Sequence, residues 1–304
     1  MGKIAFVFAD QGAQAPGMGK EFYEASSAAA AVFAAADSIR PGTSAQCFEA
    51  PDEELQETKN TQPCLYTVEM AIAAAVTDAG IKADVTAGFS LGELSALTYA
   101  GTMNLEDGIK AVSRRAELMQ VCAEQQDTAM AAVIKLSNEK IRELCGQFSH
   151  MYPVNFNCPG QTSVSGDAEE MVRFADAVKE AGGRAKILKV NGAFHSPYMS
   201  EAAVGFAEVL AKTDLKTPSI PVYANRTGVP YHEDIRDTLA SQIDHPVLWE
   251  EIVRNMIQEG VVTFIELGPG KTLCGLIKRI DPDVTLFHVS VPEDLEALKQ
   301  SIAI

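Results

Sequence analysis

The pattern of hydrophobic and polar positions along this chain alternates between strand-like and helix-like segments. Short apolar runs rich in β-branched and aromatic residues predict buried strands, and stretches with apolar residues on one helical face predict helices. Such alternation is typical of a parallel sheet flanked by helices. Outside the middle of the chain, the predicted strands are residues 3–9, 84–87, 221–225, 262–267 and 285–290. The predicted helices there are residues 20–39, 61–80, 91–99, 105–125, 234–243, 246–260 and 271–280.

The middle of the chain follows a different order, strand-helix-strand-strand-helix-strand, which is that of a ferredoxin-like unit. The main pattern resumes after it. The sequence therefore predicts an α/β-hydrolase-like parallel-sheet domain, residues 1–127 and 191–304, with a ferredoxin-like subdomain, residues 128–190, inserted into it. A cleft between the two is the default place for a ligand. The predicted elements of the inserted unit are residues 129–136, 138–148, 152–157, 161–166, 168–182 and 184–190.

Composition narrows the possible function classes. Hydrophobic residues make up 47% of the 304 residues, enough for a large α/β unit and a smaller one to bury a core. The net charge of −16 argues against a protein that binds nucleic acid or anionic membranes. No apolar run approaches the ~20 residues of a membrane span, and the N-terminal one is too short for a signal peptide. The six cysteines lack C-x-x-C spacing, which favours free thiols in a reducing cytoplasm over disulfides or a metal site.

A serine stands between two glycines in the segment Gly88-Phe89-Ser90-Leu91-Gly92. In α/β enzymes the pattern G-x-S-x-G marks a sharp turn from strand to helix that exposes the serine hydroxyl. The predicted strand before this segment and the predicted helix after it supply that context. The alternative interpretation is a glycine-flanked turn with an idle serine.

A serine nucleophile needs a base, because a free hydroxyl is not ionised near neutral pH. Among the five histidines, His195 directly follows the inserted unit, between Gly192-Ala193 and Ser196-Pro197. At this return to the main domain it can face the predicted cleft. The other histidines occur at helix ends, in loops or in a late strand and favour structural roles: His150, His232, His245 and His288.

The same sheet edge offers donors for an oxyanion. In serine-elbow enzymes one backbone N–H comes from the residue after the nucleophile, here Leu91, and a second comes from a neighbouring strand-end loop. The loop at Gln11 follows the first strand and qualifies for the second donor. The start of the helix at Leu91 adds positive potential. Glycine-containing loops after a first strand are also common without such a role.

Two adjacent arginines occupy different faces of the predicted helix over residues 105–125. The apolar stripe of this helix leaves Arg114 opposite to it and Arg115 beside it. We therefore expect Arg114 to be solvated and Arg115 to border buried surface. A partly buried arginine pairs best with a carboxylate, which is either a protein side chain or a substrate group.

With these pieces in place, the chain resembles the malonyl-CoA:acyl carrier protein transacylase family. The resemblance runs nearly from end to end, in the same order and spacing, and the combination of segments is highly specific although no single one is decisive. The segments are Gln11-Gly12-x-Gln14, Thr61-Gln62-Pro63, Ser90-Leu91-Gly92-Glu93, Ser95-Ala96-Leu97, Arg115 with Met119-Gln120, Asn155-x-Asn157-x-Pro159-Gly160-Gln161, Gly192-Ala193-Phe194-His195, Ser241-Gln242-Ile243-x-x-Pro246-Val247 and Glu266-x-Gly268-Pro269-Gly270-Lys271.

The resemblance implies an enzyme that moves a malonyl group from malonyl-CoA to the phosphopantetheine thiol of an acyl carrier protein, in fatty acid or polyketide synthesis. It implies that Ser90 carries the acyl group and that His195 is its general base. The backbone carbonyl of Gln242 would orient that histidine. Gln11 and Leu91 match the backbone donors of the oxyanion hole.

The resemblance also implies how the substrate is recognised. Arg115 matches the arginine that pairs with the malonyl carboxylate, and Gln62, Met119 and Asn157 match further residues of the substrate site. Phe194 resembles the form found in malonyl-selective enzymes, where a ring fills the space that an α-methyl group would need. No metal and no cofactor beyond the two substrates is implied. We expect a cytoplasmic monomer without nucleic-acid or membrane partners.

Two positions depart from the family pattern, with Asp10 where the family usually has glycine and Phe89 where it usually has histidine. Phe89 removes a polar neighbour of the serine but not its base, so we expect tuning rather than loss of activity. Asp10 would repel the malonyl anion and the oxyanion if its carboxylate pointed inward. These departures favour one alternative, a weakly active subunit that docks carrier proteins. The other alternative is a serine thioesterase, which would share the elbow, base and oxyanion hole.

Both predicted substrates are acidic, so this acidic chain needs local cations where they dock. Two clusters of basic residues fit that need, one on the last strand of the inserted unit and one in the segment after residue 270. Their members are Arg184, Lys186, Lys189, Lys271, Lys278 and Arg279.

Overall fold

The computed structural model describes residues 2–188, 190, 192–232 and 234–302. Within them the strands are β1 (Lys3–Phe8), β2 (Val85–Gly88), β3 (Thr128–Ile134), β4 (Met151–Cys158), β5 (Gln161–Asp167), β6 (Arg184–Ile187), β7 (Val222–Tyr223), β8 (Val261–Leu267) and β9 (Thr285–Val289). The α-helices are α1 (Lys20–Ala25), α2 (Ser27–Ile39), α3 (Thr43–Glu49), α4 (Asp52–Leu55), α5 (Thr58–Asp78), α6 (Gly92–Tyr99), α7 (Leu105–Gln125), α8 (Asn138–Cys145), α9 (Ala168–Glu180), α10 (Ser200–Leu210), α11 (Ile235–Ser241), α12 (Trp249–Gln258), α13 (Thr272–Ile280) and α14 (Pro292–Ser301).

Strand β1 is the centre of a five-stranded parallel sheet with the order β7-β2-β1-β8-β9. Successive side chains of a strand point to opposite faces of its sheet. In β1, Phe6 and Phe8 pack into one hydrophobic cluster with residues of α2, α5 and α7. Ala5 and Val7 pack into another cluster with residues of α12 and α13. The sheet is therefore a buried layer between two sets of helices, as parallel sheets require.

A second sheet is built from the middle of the chain, with four antiparallel strands in the order β4-β5-β3-β6. Helices α8 and α9 supply apolar residues to the cluster that includes Val133 of β3, among them Ile141 and Phe174. This strand order and helix placement are those of a ferredoxin-like unit. The predicted fold class, a parallel-sheet α/β unit together with a ferredoxin-like unit, is confirmed.

We propose that residues 128–190 form a subdomain inserted into the remainder of the chain, residues 1–127 and 191–304. One group of backbone hydrogen bonds between the two units lies beside α12. There the N–H of Phe156 in β4 donates to the carbonyl oxygen of Val247, just before α12, at 2.9 Å. Such a contact holds the inserted unit against the main unit beside the site described below.

The helix predicted over residues 20–39 is interrupted at Ser26. Its backbone is extended, and its hydroxyl accepts a hydrogen bond from the Ala29 N–H at 3.3 Å, which caps α2. Serine favours such a cap over a helix interior because its side chain competes for backbone hydrogen bonds. The strand predicted over residues 184–190 ends at Ile187, and Lys189 lies outside the described residues. Helices α3, α4, α10 and α14 were not predicted.

All six cysteines are free thiols in the structure. Among the described residues, no group of histidine, cysteine and acidic side chains is placed to hold a metal ion. None of the helices in the described part of the chain combines the length and apolarity that crossing a bilayer needs.

The carboxyl ends of β1, β2 and β7 meet at one edge of the parallel sheet. The loop after β1 carries Asp10 and Gln11, the turn after β2 carries Ser90, and Asn225 follows β7. In open parallel sheets ligands bind at this edge. The topology therefore brings together residues that lie far apart in the sequence.

Candidate active site

Ser90 lies at the tip of a tight turn between β2 and α6. Its φ of 51° is in the left-handed region, which a serine adopts only when its surroundings enforce it. A Cβ on Gly88 would overlap the backbone of Gly92, and a Cβ on Gly92 would overlap the carbonyl oxygen of Phe8. Both glycines are therefore needed for the strand, the turn and the helix to pass this closely, which is the geometry of a nucleophile elbow.

His195 faces the serine hydroxyl. Its Nε2 lies 2.7 Å from Ser90 Oγ, and its Nδ1 lies 2.9 Å from the backbone carbonyl oxygen of Gln242. A carbonyl oxygen only accepts hydrogen bonds, so Nδ1 carries the proton and the Nε2 lone pair accepts the Ser90 hydroxyl. Burial, with the positive charge of Arg115 as a second cause, lowers the pKa of His195 to about 4. The imidazole is thus neutral near pH 7 and available as a base.

A layer of polar residues beneath the turn holds Ser90 in place. Asn225 accepts a hydrogen bond from the Ser90 N–H at 2.7 Å and donates one to the Gly88 carbonyl at 2.6 Å. The buried Glu93 accepts hydrogen bonds from the Asn225 N–H at 2.9 Å and from the Tyr231 hydroxyl at 2.7 Å. Burial raises the pKa of Glu93 to about 7, although these two hydrogen bonds act to lower it.

Sequence reasoning missed this supporting layer. The available signal for Asn225 was its place at the end of the predicted strand 221–225. That strand lies beside β2 in the sheet, so its carboxyl end must reach the serine turn.

Arg115 is fully buried, and its guanidinium reaches the Ser90 hydroxyl. Its Nη1 donates to Gln62 Oε1 at 2.6 Å, and its Nη2 donates to Gln242 Oε1 at 2.8 Å and to Ser90 Oγ at 3.3 Å. Its Nε has no hydrogen-bond partner, and among the described residues no carboxylate oxygen lies within 4.0 Å of it. Arg114, by contrast, is exposed and pairs with Glu117 at 2.8 Å.

Burial lowers the pKa of Arg115 to about 10, so the side chain is still a cation at neutral pH. A buried cation that lacks a contacting carboxylate is costly, and an anion that binds beside it is stabilised. The guanidinium therefore forms an anion site next to Ser90 Oγ.

An inner cavity of about 120 Å³ opens on Ser90 and His195, and Gln62, Met119 and Phe194 are among its lining residues. Beside it lies an outer cavity of about 270 Å³, which is lined by Asn157 and Phe89 among others. Four of the predicted substrate residues therefore lie close to Ser90: Arg115, Gln62, Met119 and Phe194. The fifth, Asn157, lies further out, and its side-chain amide donates to Ser163 Oγ at 3.2 Å. The residues that line both cavities are Asp10, Gln11, Asn155 and Leu188.

Phe89 points away from the serine hydroxyl. Its ring is buried and lies 5.5 Å from the ring of Trp249, centroid to centroid. The side chain therefore contributes to the core and to the outer cavity rather than to proton transfer.

The predicted oxyanion donors lie at the sheet edge, beside the carboxyl group of Asp10. The Leu91 N–H, just before the start of α6, points to Oδ1 of Asp10 at 3.4 Å. The side chain of Gln11, the other predicted donor, accepts a hydrogen bond from Thr58 Oγ1 at 3.3 Å. The Asp10 carboxyl group thus points inward. Burial of this carboxyl group away from water raises its pKa to about 6. The N–H of Gln11, the charge of Arg115 and the N–H of Leu91 act in the opposite direction and lower this pKa, but they do not outweigh burial.

The described basic residues predicted to meet acidic partners are all exposed. Lys278 Nζ donates to the Pro282 carbonyl at 2.6 Å, and Arg279 donates to the Gln161 side chain. Lys189 of this set lies outside the described residues.

Comparison with known proteins places the chain in a family. It matches the acyl transferase domain family over residues 5–280. It is 39% identical over 310 residues to the malonyl CoA-acyl carrier protein transacylase of Bacillus subtilis (strain 168), which covers 99% of this chain and 98% of that protein.

Solved structures agree with this placement. The fold superposes on the malonyl CoA-acyl carrier protein transacylase from Clostridium perfringens with a TM-score of 0.96 at 36% identity, covering 99% of this chain and 97% of that one. It superposes nearly as well on a malonyl-transacylase in complex with a type II PKS acyl-carrier protein, with a TM-score of 0.95 at 34% identity, covering 98% of this chain and 99% of that one. The chain therefore belongs to the malonyl CoA-acyl carrier protein transacylase family of acyl transferase domains.

Proposed function

We propose that this chain transfers the malonyl group of malonyl-CoA to the phosphopantetheine thiol of an acyl carrier protein through a malonyl ester on Ser90. The observation that carries the proposal is the position of Arg115. Its buried guanidinium lies beside the serine hydroxyl without a contacting carboxylate. An acyl group with a free carboxylate, such as malonyl, fits between the two.

In the first half-reaction, Ser90 Oγ attacks the thioester carbonyl carbon while its proton passes to His195 Nε2. The 2.7 Å separation of these atoms is within the reach that a general base needs. The carbonyl oxygen becomes an oxyanion, which backbone N–H groups at the sheet edge stabilise. The carbon–sulfur bond then breaks, and the departing sulfur of CoA takes the proton from His195. Malonyl-Ser90 and free CoA result.

The second half-reaction uses the same groups in the opposite direction. The phosphopantetheine thiol gives its proton to His195, and its sulfur attacks the ester carbonyl. Ser90 Oγ leaves and recovers its proton from His195. The Gln242 carbonyl keeps the imidazole in the required tautomer throughout, because its bond to Nδ1 persists in the neutral and protonated states.

Recognition of the malonyl group rests on Arg115 and Phe194. A charge-assisted bond from the guanidinium to the malonyl carboxylate is worth about 1.5–3 kcal/mol, so acyl groups without a carboxylate bind less well. The Phe194 ring, which lines the inner cavity, leaves little room for an α-methyl group. One methyl group changes the binding free energy by only about 1–3 kcal/mol, so an α-methyl substrate is disfavoured but not fully excluded.

The acyl-enzyme must survive until the carrier arrives. Ser90 is 3% exposed and His195 is 2% exposed, so few waters reach the ester. This burial favours transfer over hydrolysis and argues against the thioesterase alternative. A carrier of fatty acid or polyketide synthesis, a cytoplasmic location and a monomeric state are further parts of the proposal.

Product analysis tests the proposed function. The protein is mixed with malonyl-CoA and holo acyl carrier protein, and carrier and small-molecule products are quantified by mass spectrometry. We expect malonyl-carrier protein in amounts that match the CoA released. Free malonate as the main product would instead identify a thioesterase, and neither product would identify a docking subunit.

A further inference from the structure

The carboxyl group of Asp10 occupies a position that the reaction needs. Its Oδ1 lies 3.4 Å from the Leu91 nitrogen, on the donor side of that N–H. The same side chain lines the inner cavity with Ser90 and His195. An anionic ligand of the proposed oxyanion hole is therefore part of the protein itself.

A thioester carbonyl oxygen cannot use the Leu91 N–H while Asp10 keeps this position. Effective oxyanion donors lie about 2.7–3.1 Å from the oxygen that develops charge. An oxygen at that distance from Leu91 would be in contact with the Asp10 carboxylate. Two anionic oxygens that compete for one N–H repel each other, and the effect is strong in a cavity with few waters.

We propose that Asp10 is a gating residue of the malonyl transfer: its ionised carboxylate occupies the Leu91 N–H, and uptake of one proton by this carboxylate releases the N–H to the thioester carbonyl oxygen. The inference rests on the proposed function. It deepens that function by assigning a role to a residue outside the Ser90–His195 pair. The proton comes from solvent and returns to it after acyl transfer, so the overall reaction is unchanged.

Few charged groups face Asp10, and Arg115 on α7 is the one that favours its ionised form. Glu69 on α5 is the nearby acidic group, and burial, together with the charge of Asp10, raises its pKa well above the usual range of a glutamate. His195 is neutral above about pH 4. The charge of Glu93 on α6 acts on Arg115, and Glu93 is not among the groups that shift the pKa of Asp10.

A bound malonyl group changes this balance. Its carboxylate takes Arg115 as a partner, so ionised Asp10 loses its stabilising cation and faces a second anion. Malonyl binding therefore raises the pKa of Asp10 and promotes release of the Leu91 N–H. Substrate and proton are expected to bind together.

The sign of the pH dependence follows from the two pKa values. Acylation needs neutral His195, which is present above about pH 4, and protonated Asp10, which is present below about pH 6. kcat/KM should therefore be highest between these values and fall about tenfold for each pH unit above the second, since it reports the free enzyme. kcat should fall at a higher pH, because it reports the malonyl-bound enzyme.

The test measures the rate of Ser90 malonylation between pH 4.5 and 8.5 in wild type, Asp10→Asn and Asp10→Gly. The wild-type kcat/KM should fall on the order of 100-fold between pH 6 and 8, by the slope above. Both variants should lose this decline, since neither has an ionisable group there. The phosphates of CoA also titrate near pH 6, but their effect would remain in the variants.

Glu69→Gln and Glu93→Gln are the matched controls, since each removes another buried carboxyl group. Whatever their absolute rates, both should keep the decline near pH 6. A decline that persists in Asp10→Asn and Asp10→Gly would overturn the inference and leave the proposed function intact. A wild-type protein that acquires no malonyl group at any pH would overturn both. If one Asp10 variant does not fold, the other and the wild-type separation of kcat from kcat/KM decide the result.

Discussion

The serine turn and the first loop lie at the same edge of the sheet but are held in different ways. The turn, residues 88–92, is buried, and hydrogen bonds from Ser90 to Asn225 and from Gln242 to Ser90, at 2.7 and 2.6 Å, fix its backbone. The first loop, residues 10–14, is partly exposed and presents an ionisable carboxyl group to the oxyanion position. Packing therefore fixes the Ser90 turn at any pH, whereas in the proposed role of Asp10 the charge of this carboxyl group controls access to the Leu91 N–H.

The largest expected effect is steric and falls on the turn. Gly88→Ala adds a methyl group that overlaps the backbone of Gly92, so we expect a loss of more than about 4 kcal/mol in the free energy of unfolding. Gly12→Ala in the first loop is the matched control. Its φ of 105° is strained for alanine but nothing lies within 4 Å, so about 1–3 kcal/mol should be lost. Urea unfolding measures both, and equal losses would mean that the two regions do not differ in packing.

The next effect concerns the base. His195→Ala should slow acylation by roughly 10²–10⁴-fold, the contribution of a positioned base. Because the pKa of His195 is lowered to about 4, protonation of this base should slow the wild-type reaction only when the pH is lowered to about that value. Rates of malonyl-Ser90 formation measure this, with His150→Ala, at an exposed histidine, as the control. A large loss in His150→Ala without one in His195→Ala would assign the base elsewhere.

Substrate recognition should respond more weakly than catalysis. Arg115→Ala removes the cation for the malonyl carboxylate, so kcat/KM for malonyl-CoA should fall by roughly one to two orders of magnitude. Acetyl-CoA has no carboxylate, so its poor transfer should stay level or improve. Arg114→Ala, at the exposed neighbour, should change neither. A parallel fall for both thioesters in Arg115→Ala would show that this arginine supports the fold rather than the substrate.

The smallest effect is expected at the protein surface. The double variant Lys186→Glu with Lys271→Glu reverses two exposed charges. It should raise the KM for the carrier protein several-fold and flatten its salt dependence, because charges at the edge of an interface mainly affect the rate of association. Acylation by malonyl-CoA should change little. Lys20→Glu with Lys212→Glu gives the same net charge elsewhere on the surface and should leave both steps unchanged. Equal damage from the two pairs would remove the docking role.

The parts of the site that depend on local sequence pattern could be predicted from the sequence. Glycine spacing and the strand-to-helix change predicted the turn at Ser90, and helical periodicity separated Arg115 from Arg114. The position of His195 directly after the inserted unit predicted that it faces the cleft. These features are short in range, so the residues themselves encode them.

Other parts of the site depend on contacts between distant segments. Asn225 is 135 residues from Ser90, and its place at the end of a predicted strand does not show that this strand pairs with β2. The double role of Gln242, whose carbonyl meets His195 while its side chain meets Arg115, needs the whole cavity to be assembled. The direction of the Asp10 side chain was also open, because an aspartate in a loop after a strand points as readily to solvent as inward.

The proposed function depends above all on Ser90 carrying the malonyl group, and peptide mapping tests this assignment. The protein is incubated with malonyl-CoA, quenched in acid, digested and analysed by tandem mass spectrometry, with Ser90→Ala treated in the same way. We predict one malonyl group per chain, on Ser90, that disappears when holo acyl carrier protein is added, and no label in the variant. A malonyl group on another residue, or the same label in Ser90→Ala, would show that Ser90 is not the acylated residue.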